Sequence, residues 1–344
     1  MKKIKRSVKI IIAIVLVIVL LIASGVIFYL SKLNLIKFSN GKFTWSGSID
    51  ASDSETLDEE SRMNEAIADL EEKDAIDATG EIYKDKRFLN ILLIGTDERT
   101  ENFSENARGD SCMIMSIGKK DGSLKLASLE RGMGVPILEG KYKGQYDWLT
   151  HTFRYGGADL MMREVRECFK VDVERYIRVN FTTFKKGIDS VGGIDITLTA
   201  AEAAYVNFGT VRTIYKEGTN HLDSTAALVY ARCRHIDSDW HRIERQRNVI
   251  QAVVTKTKDL SIGELNTLLN NVLPLVQTNL TRLEITELLL SAPKYRGVQI
   301  KQMTVPISGS YGGMRGLGGR SLFSVDFDTN AKALREFIYG VKYE

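Results

Sequence analysis

The hydrophobic and polar positions divide the chain into three stretches. Residues 10–31 carry no charge and are mostly Ile, Val and Leu, long enough to cross a bilayer as a helix. Residues 38–53 are rich in Ser, Gly and Asp and read as a tether. Residues 54–79 are acidic, with Met63, Ile67 and Leu70 at helical spacing. That pattern fits either one short amphipathic helix or a solvated spacer, and the spacer is the preferred reading. From Arg87 onward, apolar runs of two periods alternate. Residues 88–95 are almost continuously apolar and end on Gly, the mark of a strand buried on both faces. Residues 112–117, 124–129, 176–181, 194–198 and 298–307 read as further strands. Residues 158–169, 184–191, 222–230, 242–258, 262–273 and 285–290 read as helices, and Asp328 as the cap of a last helix over 330–339. The Gly-rich segment 308–319 matches no phosphate-binding fingerprint and reads as a surface loop. Strands and helices intermix without internal repeats, so the expected class is α/β with a central mixed sheet. The predicted organisation is a tail and anchor over 1–37, an acidic linker over 38–86 and one domain over 87–344.

Charge adds a direction to this picture. Lys2, Lys3, Lys5, Arg6 and Lys9 crowd the start, and Lys32 and Lys37 follow the apolar span. The more basic flank stays in the cytoplasm, which places everything after Lys37 outside the membrane. A cleaved signal peptide is the alternative, disfavoured by the long apolar run and the lack of a small-x-small site. The net charge of +3 does not point to nucleic acid. Cys112, Cys168 and Cys233 are odd in number and lack metal-ligand spacing, so no disulfide framework is expected. An external domain without paired cysteines suits a Gram-positive surface.

Two groups of residues carry candidate chemistry. Arg232, Arg234, Arg242, Arg245 and Arg247 cluster around the start of the helix predicted over 242–258, with Asp239 as its expected cap. Arg242 and Gln246 are four apart and share a face. Such a group either grips phosphate oxygens bidentately or is a solvated surface, which is the default for exposed charge. Asp97 follows the first predicted strand and Asp110 precedes the second. Open α/β folds place ligands at such strand ends. Carboxylates without His or Cys partners suit Mg²⁺, which keeps places for water and substrate phosphate, although turn aspartates are common there. His151, His221, His235 and His241 fall in no zinc spacing, and neither a Walker loop nor a dinucleotide fingerprint is present. Two carboxylates and many arginines suit metal-assisted handling of a pyrophosphate.

The ordered segments Asn90-Ile-Leu-Leu-Ile-Gly-Thr-Asp97, Arg108-Gly-Asp110, Ser128-Leu-Glu-Arg131, Val191-Gly-Gly193, Tyr230-Ala-Arg-Cys-Arg-His235 and Arg242-Ile-Glu-Arg-Gln246 resemble the LytR-CpsA-Psr family. The resemblance runs from about residue 90 to 258, with a weaker match at 334–340. It implies a three-layer α/β/α domain behind an N-terminal anchor, with an apolar pocket for a polyprenyl chain. It also implies a phosphotransferase that moves a glycopolymer from undecaprenyl pyrophosphate to peptidoglycan. By position, Asp97 and Asp110 resemble the family's Mg²⁺ aspartates. Arg99, Arg108, Arg131, Arg232, Arg234, Arg242 and Gln246 resemble its pyrophosphate-binding set, and the resemblance implies that Arg131, Asp97 and Asp110 are the catalytic residues. One departure stands out. Where the family has Pro-Arg-Asp, this chain has Glu130-Arg131-Gly132. Glu130 is not expected to replace the lost carboxylate, because adjacent strand residues point to opposite faces. A non-catalytic polyprenyl-phosphate binder is therefore the alternative; a transcription regulator is disfavoured by the anchor.

Overall fold

The computed structural model describes residues 31–43, 54–98, 103–104 and 107–341. The anchor expected over 10–31 lies outside the described residues except for Ser31. Among those described, no helix is long and apolar enough to cross a membrane. The strands are β1 (Lys37–Phe38), β2 (Phe88–Gly95), β3 (Ser111–Gly118), β4 (Leu124–Leu129), β5 (Gly134–Pro136), β6 (Tyr146–Trp148) and β7 (Arg175–Val179). They continue with β8 (Ile194–Leu198), β9 (Gly218–Leu222), β10 (Gln277–Thr278), β11 (Lys301–Val305), β12 (Tyr311–Arg315) and β13 (Ser321–Val325). The helices are α1 (Ser54–Ile67), α2 (Leu149–Phe169), α3 (Phe181–Ser190), α4 (Ala200–Thr210) and α5 (Ser224–Ala231). Then come α6 (Asp239–Lys256), α7 (Ile262–Val272), α8 (Arg282–Ser291) and α9 (Phe327–Tyr339).

Seven strands form one mixed sheet in the order β1-β10-β7-β2-β3-β4-β11. Pleating sends alternate side chains to opposite faces. Leu92, Ile94, Cys112, Ile114, Ala127 and Leu129 enter one cluster with Met161 and Val165 of α2 and Leu334 and Ile338 of α9. Ile91, Met113, Leu124 and Leu126 enter the other, with Ile285 of α8 and, packed against it, Ile250 and Val254 of α6. This two-sided burial is why β2 reads as continuously apolar. A third cluster joins α3, α4 and α5 to the β8–β9 hairpin, with Val249 of α6. The strand predicted over 194–198 therefore belongs to this lobe and not to the main sheet.

Several elements differ from the sequence reading. The acidic stretch is not a bare spacer: α1 forms and buries Met63 and Ile67 in the main core. Beyond it, Glu72 bridges to Gly313, Ile76 to Asp326 and Tyr83 to Val171. Chain preceding Arg87 is thus woven into the domain. The Gly-rich loop contains β12, which pairs with β13. Its glycines hide the strand pattern because they serve a close approach: a Cβ on Gly312 would lie 2.6 Å from the Glu71 carbonyl oxygen. Helix α2 starts nine residues before the predicted 158, and its first part is offset by a break at Gly156 and Gly157. The last helix is capped by Asp326; Asp328 sits in its first turn and accepts from Thr79. Helix α4 and the β5–β6 hairpin were not predicted; the first is Ala-rich and nearly unpatterned, the second too short to show a period.

Candidate functional site

Strand register brings the site together. Gly95 of β2 faces Ser111 of β3, so Asp97 and Asp110 emerge at the same sheet edge. Cys112 pairs with Leu129, which brings Glu130 and Arg131 to that edge, and Gly95 pairs with Val179, which adds Asn180 and Phe181. Helix α6 crosses this edge. Asp239, Arg242 and Gln246 lie three and four residues apart and present one face to it.

The side chains form a chain of opposite charges in which buried arginines alternate with half-buried carboxylates. The Arg108 backbone N–H donates to Asp97 Oδ1 at 3.3 Å, and its guanidinium lies 3.5 Å from Asp97 and 3.8 Å from Asp110. Arg131 lies 3.8 Å from Asp110 and 3.3 Å from Asp239. Arg242 donates to Asp239 at 2.8 Å. Arg108, Arg131 and Arg242 are all buried. Gln246 Oε1 accepts from Ser111 Oγ at 2.9 Å. Burial, and then the charge of Asp110, push the Asp97 carboxyl above its usual range. Burial, opposed by Asp239, lowers Arg242, which still remains a cation.

Two carboxyl groups escaped the sequence reading. Asp239 is not the cap of α6, a position held by Ser238. It is the shared partner of Arg131 and Arg242, which hold it well below its usual range although burial opposes them. Glu130 follows β4 and is free of strand alternation, so it reaches the same cluster that alternation seemed to deny it. It is wholly buried, and burial, then Asp239, raise its pKa to about 8. A carboxylate at Gly132 would have to displace the end of Met63: a Cβ there would lie 2.0 Å from Met63 Cε of α1. Buried Arg178 is a third omission. It pairs with Glu98, and its charge reaches Asp97.

The arginines of the 232–247 stretch divide. Arg232 stacks on Phe181 with its guanidinium carbon 4.7 Å from the ring centre. Arg232, Arg234, Arg242 and Gln246 line the mouth of a cavity of about 280 Å³, whose walls include Met113, Ile177, Phe184, Leu228 and Ile250. Arg245 turns instead to Asp237 and Glu202, and Arg247 to Gln302 and Thr304 of β11. Both tie α6 down. Arg99 lies outside the described residues. Arg234 also borders a polar cleft of about 580 Å³ between α1 and Arg131, so one arginine faces both spaces. An apolar slot opening onto buried cations suits an amphiphile with an anionic head.

The LytR_cpsA_psr family model matches residues 51–336. The chain belongs to the LytR_cpsA_psr family. It is 32% identical over 197 residues to the polyisoprenyl-teichoic acid–peptidoglycan teichoic acid transferase TagU of Bacillus mycoides, a match covering 56% of this chain and 61% of that protein's length. The protein of the same name from Oceanobacillus iheyensis is 33% identical over 241 residues, 67% of this chain and 69% of the relative. Among solved structures, TagT bound to LIIa-WTA superposes with a TM-score of 0.59 at 25% identity, covering 78% of this chain and 97% of that one. The protein gbs0355 of Streptococcus agalactiae gives 0.62 at 26% identity, with 74% and 87% covered. The family's fold accounts for the mixed seven-stranded sheet described above.

Proposed function

We propose that this protein is a membrane-anchored phosphotransferase that moves a teichoic-acid-like or capsule-like glycopolymer from undecaprenyl pyrophosphate to peptidoglycan. The observation that carries the reading is the cluster of Arg108, Arg131 and Arg242 with Asp97 and Asp110, at the mouth of an apolar cavity. The teichoic acid transferases it resembles, and TagT with its bound ligand, support it. The isoprenoid chain enters the cavity and the diphosphate meets the arginines. The acceptor hydroxyl attacks the phosphorus that carries the glycopolymer, and the bridging bond to undecaprenyl phosphate breaks. Arg131, Arg234 and Arg242 take up charge on the leaving phosphate, a stabilisation that low-dielectric surroundings strengthen. Residues 1–9 lie in the cytoplasm and the domain outside.

Asp97 and Asp110 fit Mg²⁺. Asp110 Oδ1 is buried without a hydrogen-bond partner, and the charge of Asp110 adds to the cost of ionising Asp97. Among the described residues no group of three or more His, Cys, Asp or Glu is gathered for a metal, which suits an ion that completes its shell with water and phosphate. When bound, the ion offsets negative charge on the diphosphate. The test is transfer of lipid-linked polymer to peptidoglycan fragments with Mg²⁺, for the parent, Asp110→Ala and Arg242→Lys. Transfer by the parent that both substitutions abolish is the expected result. Parental lipid binding without transfer would instead establish the non-catalytic binder, the reading that Gly132 favours by removing the carboxylate next to Arg131.

A further inference from the structure

The lobe built from α3, α4 and α5 ends in a tip that water does not favour. Phe208, Val211 and Ile214 are 86%, 94% and 64% exposed. Three such side chains within seven residues form a patch, not scattered exposure. The tip is also fixed in shape. The Asn207 side chain donates to the Tyr215 carbonyl at 2.8 Å and accepts from the Tyr215 N–H at 3.0 Å, closing the loop from both sides. Arg212 pairs with Asp223 and donates to the Tyr215 hydroxyl at 3.1 Å. Val211 is held at φ 54°, a left-handed conformation that a β-branched residue adopts only under strain. A costly backbone that holds an apolar side chain outward calls for a partner that uses it.

We infer that this tip is a lipid-surface contact that seats the domain on the bilayer beside its own anchor. Three observations select a membrane as the occupant. Residues 203–216 contain Arg212 and Lys216 and no acidic residue, the pairing of apolar and basic groups that anionic bilayers bind. The uncharged span ends at residue 31, and Lys32, the next residue, bonds Asn270 of α7. No long tether therefore separates the domain from the membrane. Finally, the tip rests on the cavity's own wall. A Cβ on Gly209 would lie 2.6 Å from Val229 Cγ1 of α5, the helix whose Leu228 and Ala231 line the apolar cavity.

The inference rests on the anchored reading proposed above, and the test separates the two. The full chain is placed in vesicles of anionic and zwitterionic phospholipid, with Phe208→Trp or Ile214→Trp in separate variants. Quenching by bromine-labelled acyl chains and by aqueous acrylamide is compared with the parent and its three native Trp. The expected result is added emission that brominated lipid quenches and acrylamide does not reach. Chain that floats with the vesicles, but whose new Trp is open to acrylamide and indifferent to bromine, overturns the lipid contact alone. Shielding from both quenchers also overturns it, because a protein then covers the tip. Chain that fails to float overturns the anchor and the contact together.

Discussion

Asp97 and Asp147 are both drawn out of water, yet their surroundings act on them in opposite senses. Asp147 is saturated. It accepts from the Trp148 N–H at 2.8 Å, from Tyr155, and from Arg320 Nη1 at 2.9 and 3.1 Å, and His151 Nδ1 lies 3.0 Å away. His151 and then Arg320 hold it far below its usual range against the cost of burial. Arg320 continues the chain to Glu60 at 2.8 Å and so fastens α1 to the body. At Asp97 burial wins and the pKa rises. Its neighbours are pairs spaced at 3.5 and 3.8 Å, and Asp110 Oδ1 and Arg242 Nε are buried without hydrogen bonds. One cluster is closed: around Asp147 the carboxylate oxygens are matched to close donors, although His151 Nε2 on the far side of the ring is buried without a hydrogen bond. The other, open cluster has wider spacings around Asp97 and Asp110, and buried polar atoms such as Asp110 Oδ1 that lack hydrogen bonds cost stability.

The comparison is broken most directly by deleting the closed cluster's centre. Asp147→Ala leaves Arg320, whose side chain is 8% exposed, with Glu60 as its remaining carboxylate and also removes a partner of Tyr155 and His151; loss of one partner in a buried charged group costs about 3–5 kcal/mol. Urea titration should show that loss. A loss under about 1 kcal/mol, the scale of a surface pair, would remove the distinction between the clusters.

In the open cluster the effect should fall on binding. Arg242→Lys keeps the charge and loses the guanidinium fork. A charge-assisted hydrogen bond contributes about 1.5–3 kcal/mol, so affinity for undecaprenyl pyrophosphate should fall roughly 10- to 100-fold. The melting temperature should stay near that of the parent, because the cluster is under-bonded without its ligand. Parental affinity in the variant would remove the arginine from the diphosphate site.

Restoring the missing carboxylate sharpens the comparison further. Gly132→Asp must displace the Met63 methyl, since the new Cβ would lie 2.0 Å from it. Overpacking of this kind costs about 1–3 kcal/mol. Met63→Ala opens the space, so the double variant should be more stable than the sum of the two single losses. Additive losses would show that α1 does not press on residue 132.

The same contrast explains what the sequence could disclose. Asp97, Asp110 and Arg131 were legible because they stand at the ends of strands whose apolar pattern is unmistakable, and strand register then brings them together. Arg242 and Gln246 were legible from helical spacing. Glu130 and Asp239 were not, because their roles depend on a turn and on the meeting of α6 with β4, which no local period records. Arg245 and Arg247 look like Arg242 in the sequence, and only packing against Asp237 and β11 separates them. Helix α1 was underestimated because its polar face dominates its composition, while among its described residues Met63 and Ile67 carry its apolar packing.

The smallest effect is read across a single pH unit. Glu130 has an ordinary value of 4.5 and is raised to about 8. Between those values the native state keeps a proton that the unfolded chain has released, so stability falls as pH rises. Its contribution is whole below 4.5 and lost on approaching 8. Asp147 runs the other way: its contribution is present above its ordinary 3.8 and is lost as pH falls further. Of the two clusters, the open one should therefore be the one that responds near neutrality. Glu164, also raised to about 8 by burial, adds to the same slope, so the decisive measurement is a difference. Glu130→Gln keeps the shape and a donor but removes the titration. Urea denaturation at pH 6 and pH 7 should give a slope flatter than the parent's by up to about 1.4 kcal/mol per unit. An unchanged slope would mean that Glu130 is ionised in the folded protein and that the pair with Asp239 shares no proton.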